Sequence, residues 1–415
     1  MREKQKLFIA LVVALMIGCG VLAVLTVETG AQQQKEPIKV GMAEALTGPG
    51  TALGHHSFWG AQLAVKRINE AGGINGRKID LVVEDTKTNA AEAIKVFRKL
   101  ALLDKVDFVL GGTLSIDGLA MVKPSKELKT LCLITVPESA LITSDLVHRY
   151  IFRVNVDCRH KARAFGPWLA KNVAQKWNII YHDFAWGQEL RTNFKEQLEK
   201  NGATVTNTIP IPLGTTDFTS YLEKLDPNAP GVFLGVSGED SVRLDIQMNE
   251  FGIPKKYKLA GTCDTIFPET FEKLAKAVDG AYIVEQYPPV LMSPVDTPAD
   301  KKFREEFKEF SKGIEPGPHS WAGYEWLFIM KHAMEKVGYQ NKNDIPKVIQ
   351  VLEGLKLPKD ANLVQGPVYI RGEDHQGFIR MYIWQIKDGK ATMKKIVEPE
   401  EVMFPPAKDI RAESF

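Results

Sequence analysis

The chain reads as an α/β protein of two lobes, and three observations carry that reading. Its 415 residues are more than a single hydrophobic core organises, so two domains are expected. Residues 38–85 spell strand, helix and strand, a βαβ unit whose right-handed crossover implies a parallel sheet. The same alternation starts afresh near residue 159 and runs to about residue 285. An apolar content of 44% and a charged content of 25% suit an ordinary globular protein. The formal charge of +2, which falls to +1 without residues 1–31, leaves no basic cluster for nucleic acid.

Taken in order, Ile38 to Ala43 is a short apolar run that reads as a buried strand. Thr47-Gly48-Pro49-Gly50-Thr51 forms the loop after it, and Phe58, Ala61, Val65 and Ile68 then recur at the spacing of one helix face. Gly72-Gly73 ends that helix, because glycine accepts the left-handed conformation of a helix C-terminus. Asn75-Gly76 turns the chain into a second strand, Lys78 to Glu84, with Ile79, Leu81 and Val83 on one side. Asn89, with Glu92 three residues on, fits a helix cap, and Ile94, Phe97, Leu100 and Leu103 are the expected buried face. The third strand, Asp107 to Gly111, runs into Gly112-Thr113-Leu114-Ser115 and a helix through Lys126. The fourth, Leu131 to Val136, ends in Pro137-Glu138-Ser139, and the fifth, Tyr150 to Val154, leads into a first crossing between lobes.

The second lobe repeats the theme. A helix from Arg159 to Asn172 precedes strand Trp177 to His182 and the loop Asp183-Phe184-Ala185-Trp186-Gly187. Helix Gln188 to Asn201 stops at Gly202, and strand Ala203 to Ile209 follows. Helix Phe218 to Leu225, strand Gly231 to Val236, helix Asp240 to Phe251, and strands Lys258 to Ala260 and Gly280 to Glu285 complete it. Pro288, Pro289, Pro294 and Pro298 mark a second crossing. Three helices come next, Ala299 to Phe310, Ser320 to Val337 and Asp344 to Leu355. Strands around Gln365 to Ile370 and Arg380 to Lys387 follow, with Asp388-Gly389 turning into a last one.

At the N-terminus, Arg2, Lys4 and Lys6 precede an apolar run from Leu7 to Val27, and Thr29-Gly30-Ala31 offers small residues for cleavage before Gln32. That is the layout of a secretory signal over residues 1–31, although the run is long enough to act as an uncleaved anchor. Cys132, Cys158 and Cys263 remain beyond it; their odd number and spacing suit neither a complete disulfide set nor a metal site.

The stretch "LTGPGTALG" with "GAQLAVKRINEAGGINGRKIDLVVED" resembles the start of periplasmic solute-binding proteins of the leucine/isoleucine/valine-binding type, which serve ABC importers. The likeness continues to about Pro399. It implies two doubly wound, Rossmann-like lobes joined by a three-segment hinge and closing around a ligand. The lobes would be residues 38–155 plus 290–364 and residues 156–289 plus 365–399. It also implies a periplasmic monomer that binds an amino acid, meets an ABC permease and uses no cofactor or metal.

The likeness names site residues as well. Ser115 and Ser139 match the hydroxyl positions that hold a ligand carboxylate in the family, and a helix N-terminus and free amides suit an anion there. Trp186 stands where the family places a ring over the ligand. Leu53 and Ser237 fall where relatives carry aromatic residues, which gives a differently shaped pocket. Asp264 matches the acid for the ligand's ammonium, one place later than in relatives, and His319 opens a helix on the cleft side.

Two rivals come from other classes. Gly48, Gly50 and Gly54 after a strand, with Glu84-Asp85 ending the next, resemble the glycine loop of a dinucleotide-dependent oxidoreductase. The glycines begin too far beyond the strand, and the leader exports the chain from the compartment that holds such cofactors. No G-x-S-x-G, S-x-x-K, H-E-x-x-H or C-x-x-C is present, so no hydrolase signature supports catalysis. The other rival is a membrane-anchored ligand-sensing ectodomain, which differs only in keeping Leu7 to Val27.

Overall fold

Two sheets with the same strand order position everything else. The protein, as a computed structural model, is described over residues 35–287, 298–360 and 362–415. The leader reading for residues 1–31 and three prolines of the second crossing, Pro288, Pro289 and Pro294, lie outside the described residues.

The first sheet contains β1 (Ile38–Glu44), β2 (Ile79–Asp85), β3 (Phe108–Gly111), β4 (Cys132–Ile134) and β5 (Ile151–Arg153). They lie in the order β2-β1-β3-β4-β5 and every pairing is parallel. Helices α1 (Thr51–Glu70), α2 (Ala90–Leu102) and α3 (Ser115–Glu127) are the crossovers. The second lobe opens with α4 (Cys158–Asn172), followed by β6 (Lys176–His182), α5 (Ala185–Lys200), β7 (Thr204–Ile211), β8 (Gly231–Gly235), α6 (Glu239–Glu250), β9 (Lys258–Thr262) and β10 (Tyr282–Glu285). Its parallel strands run β7-β6-β8-β9-β10, the order of the first sheet again. Each sheet therefore reverses direction at one point, between β1 and β3 and between β6 and β8, and open α/β sheets bind ligands at such points.

The chain then returns to the first lobe with α7 (Pro298–Phe310), α8 (Ser320–Val337) and α9 (Ile345–Leu352). β11 (Lys356–Leu357), β12 (Val368–Ile370) and β13 (Gly377–Ile379) form a small antiparallel sheet, of which the sequence announced only β12. β14 (Met381–Lys387) and β15 (Lys390–Val397) add antiparallel strands to the second sheet. Among the described residues no helix is long and apolar enough to cross a membrane.

Two features of the helices depart from the sequence reading. On α2 the buried residues are Ala93, Val96, Phe97 and Leu100, whereas Ile94 and Leu103 are 39% and 74% exposed. Successive steps of three residues each fall about 60° short of a turn, so a run of them winds off the buried stripe. On α1 the buried stripe is Ser57, Gly60, Ala61, Ala64 and Ile68, with Phe58 and Val65 only half-buried. Glycine explains this shift. A Cβ on Gly60 would stand 2.0 Å from the Ser320 carbonyl oxygen, and one on Gly323 would stand 2.2 Å from the Ser57 carbonyl oxygen. α1 and α8 touch backbone to backbone there, as side chains would forbid. Gly54 similarly lets α1 approach β1, since its Cβ would lie 2.1 Å from the Ala45 carbonyl oxygen. The glycine spacing that resembles a nucleotide loop is a helix-packing device at this position.

The crossings between lobes are knitted by polar side chains. Arg153, fully buried, donates to Gln376 Oε1 from Nε at 3.0 Å and ion-pairs with Asp157 at 3.1 Å. Gln376 donates to the Asn155 carbonyl at 2.8 Å, and Gln365 donates to the Gln286 carbonyl at 2.9 Å. Burial pushes the Asp157 carboxyl up, but His160, Arg159 and Arg153 together hold it well below the usual carboxylate range. Cys132 and Cys158 are buried free thiols whose pKa burial raises.

Because Ser320 backbone stands against Gly60, Gly60→Ala must push α1 from α8. A loss of about 1–3 kcal/mol is expected, read as a lower urea midpoint with an unchanged slope.

Candidate functional site

Loops at the carboxyl ends of both sheets enclose one narrow cavity. Leu53 follows β1; Thr113, Leu114 and Ser115 follow β3; Val136, Pro137 and Glu138 follow β4. From the second lobe come Phe184 and Trp186 after β6, Ser237 after β8 and Asp264 after β9, while His319 precedes α8. The cavity has a volume of about 20 Å³, room for a water or so. That is too small for a solute of amino-acid size.

Six of the seven residues singled out in the sequence lie around this cavity: Leu53, Ser115, Trp186, Ser237, Asp264 and His319. Ser139 does not line it. Its amide donates to Ser115 Oγ at 3.1 Å, and its hydroxyl donates to Glu189 Oε1 of α5. The other oxygen of Glu189 accepts from the Ala140 amide at 2.6 Å. Burial raises the Glu189 pKa, opposed by these hydroxyl and amide donors. A carboxylate of the chain itself thus occupies the donors that a ligand carboxylate would need at Ser139.

Each lining polar group has a defined partner. Glu138 ion-pairs with Lys161 of α4 at 2.6 Å and accepts from Trp186 Nε1 at 3.0 Å. Trp186 is 5% exposed, and its ring lies nearly parallel to that of Phe184, centroids 6.0 Å apart. His182 Nδ1 accepts from the Ser237 amide at 3.3 Å, while Nε2 faces Asp240 Oδ2 at 3.1 Å, so His182 pairs with Asp240 rather than its chain neighbour Asp183. His319 Nε2 lies 3.2 Å from Asp264 Oδ1, and Thr262 donates to Asp264 Oδ2 at 3.4 Å. Leu53, Leu114 and Val136 of the first lobe and Phe267 of the second share one apolar cluster. The lining thus carries two carboxyl groups and one imidazole, with no lysine or arginine.

Sequence reasoning missed the layer beneath. Glu44, at the end of β1, is fully buried and accepts from Ser57 at 2.7 Å, Thr113 at 2.5 Å and Thr135 at 2.8 Å. Burial pushes its pKa up to about 8 against the pull of those hydroxyls. Thr135 Oγ1 is also 2.8 Å from the Gly112 carbonyl, and its single proton serves only one acceptor. A protonated Glu44 resolves this by donating in turn. Nothing in the local pattern of β1 distinguishes this acid, whose partners lie up to 91 residues away.

Residues 37–391 match the family described as "Periplasmic binding protein". The chain is similar to Leu/Ile/Val-binding protein homolog 7 of Brucella melitensis, 27% identical over 327 residues, which are 76% of this chain and 81% of that protein. Among solved structures it is similar to a solute-binding protein of an ABC transporter from Rhodopseudomonas palustris in complex with 3,4-dihydroxy benzoic acid. That likeness has a TM-score of 0.79 at 22% identity and covers 88% of this chain and 98% of the other. It is also similar to the branched-chain amino acid transporter substrate-binding protein LivJ from Streptococcus pneumoniae in complex with isoleucine. Here the TM-score is 0.76 at 20% identity, covering 88% of this chain and 100% of the other.

Glu44 generates a pH dependence. Its folded pKa of about 8 exceeds the ordinary 4.5, so the folded state holds a proton that the unfolded chain releases. This contribution is full below about pH 4.5 and is lost as pH rises through about 8. Glu44→Gln is expected to flatten the fall of the urea midpoint between pH 5 and pH 9, measured beside the wild type.

Proposed function

The chain belongs to the periplasmic binding protein family, of the leucine/isoleucine/valine-binding type, and from that premise we propose that it is the extracytoplasmic solute-binding component of an ABC importer. Its solute is a branched-chain or other apolar amino acid. The observation that carries this reading is the charge of the cavity lining. Lys161 pairs with Glu138 from behind, and the lining itself holds Glu138 and Asp264 but no lysine or arginine. A plain anion meets a carboxylate there, whereas an amino acid offers Asp264 an ammonium. Its carboxylate takes the Ser115 side, at the N-terminus of α3, and its side chain takes the wall of Leu53, Leu114, Val136 and Trp186.

The protein works as a monomer without catalysis. Its lobes are residues 38–155 plus 290–364 and residues 156–289 plus 365–399, closing on the solute through contacts to both. The nearly parallel rings of Phe184 and Trp186 support a second reading, an aromatic carboxylate, as in the Rhodopseudomonas palustris protein. Retention of residues 7–27 in the mature protein would make the chain an anchored ectodomain instead, which N-terminal sequencing decides.

A thermal-shift panel tests the solute class, because ligand at about 100 times its dissociation constant adds roughly 2.7 kcal/mol to stability. Leucine and isoleucine are expected to raise the melting temperature; a shift with benzoate or 4-methylpentanoate alone would replace the amino-acid reading by the carboxylate one. Trp186→Ala is expected to weaken leucine binding by about 1–3 kcal/mol, and unchanged affinity by calorimetry would remove Trp186 from the site.

A further inference from the structure

Residues 399–415 follow the last strand of the second sheet, and the stretch that matches the family ends before them, at residue 391. They dock on both lobes. Val402 is fully buried in the core that holds Phe165 and Leu169 of α4. Phe404 is buried too, with Arg159 of α4 4.1 Å from its ring centre and Arg371 5.2 Å from it. Arg371 also donates to the Phe404 carbonyl. Six residues on, Ile410 is fully buried among Ala43, Val109, Ile134 and Ile151, which come from four strands of the first sheet. Its amide donates to the Glu373 carbonyl at 2.9 Å. Arg149 donates to the Arg411 carbonyl at 2.7 Å and stands 4.2 Å from the Phe415 ring centre. Between these two anchors, residues 405–409 are exposed.

The exposed bridge passes over the crossings between lobes. Arg159 pairs with Asp157 at 2.6 Å and Asp157 with Arg153 at 3.1 Å, on the first crossing. Arg371 pairs with Asp374 at 2.6 Å, two residues before Gln376. Six residues reach at most about 20 Å, and Pro405-Pro406 stiffens them. The anchors cannot separate beyond that reach while both stay buried, and undocking Ile410 would carry a core side chain into water. We propose that residues 404–410 are a strap across the hinge that limits how far the lobes part, and so sets how much closed form exists before any solute arrives. This rests on the reading of two lobes that close on a solute and deepens it. Apparent affinity scales with the population of the binding-competent form, so the strap raises affinity without touching the solute.

The test lengthens the strap and leaves both anchors in place. Roughly a dozen glycine and serine residues are inserted between Ala407 and Lys408 of the full chain, and the same insertion after the exposed Asp388 is the control. Without solute, small-angle X-ray scattering is expected to give the lengthened strap a larger radius of gyration than the wild type or the control. Equal values overturn the proposal. Saturating leucine is expected to bring the lengthened strap and the control to one value, and to bind the lengthened strap roughly threefold to tenfold more weakly than the control by calorimetry; equal affinity also overturns the proposal. If leucine binds none of the three while the unliganded chains still differ, the amino-acid reading fails and the strap stands. A urea midpoint near that of the control shows that the insertion folds. Should it not fold, Phe404→Ala, which removes only the anchor on α4, is measured in the same way; an unliganded form as compact as the wild type overturns the proposal there too.

Discussion

The grip of the second lobe on one loop of the first governs the chemistry of the cleft. Residues Glu138 to Ala140 follow β4, and three groups from α4 and α5 hold them: Lys161 and Trp186 on Glu138, and Glu189 on Ser139 and Ala140. Lys161 is fully buried and Glu138 nearly so. A buried ion pair adds little to stability over an apolar pair of the same volume, but removing one partner strands the other charge. The pair's consequence here is electrostatic. With Lys161 in place, Glu138 is neutralised, and Asp264, across the cavity, is the other acid of the lining. Without it, an unpaired Glu138 carboxylate would stand in the same narrow space as Asp264.

Glu44 serves the same balance from below. Thr113, which lines the cavity, donates to Glu44 and accepts from the Ala45 amide at 2.8 Å. An ionised Glu44 would place a third negative charge under the floor. Burial raises its pKa to about 8, so it stays protonated and its Oε2 accepts from Thr113 without adding charge. Burial keeps Glu44 protonated and Lys161 pairs with Glu138, so neither adds net charge beneath or beside the cavity.

Much of the architecture was legible in the chain because it is local. Period and punctuation define the strands, and loops past a strand's carboxyl end face the cleft, which is why Leu53, Ser115, Trp186, Ser237 and Asp264 surround one cavity; His319, at the start of α8, joins them. Pairings were not legible. Glu189 meets Ser139 from 50 residues away, and Trp186 meets Glu138 from 48; no sequence period relates them. Helix faces were legible only in part, because Gly60 and Gly323 moved the buried stripe of α1 toward the backbone contact with α8. An absent side chain leaves no apolar mark for a periodicity argument to find.

The contacts between lobes also set what a solute can contribute. His56 with Glu269 and His319 with Asp264 join the lobes directly, so closure depends partly on the protein's own groups. A ligand shifts an equilibrium between open and closed forms only by its differential affinity for the two. Groups already satisfied in the closed form add nothing to that difference. Ser139 and the Ala140 amide are satisfied by Glu189, and Trp186 Nε1 by Glu138. What remains at the cavity is the Ser115 hydroxyl, the apolar wall and the Nδ1 atom of His319. A solute therefore adds most to closure where the protein's own hydrogen bonding is incomplete, at His319 Nδ1.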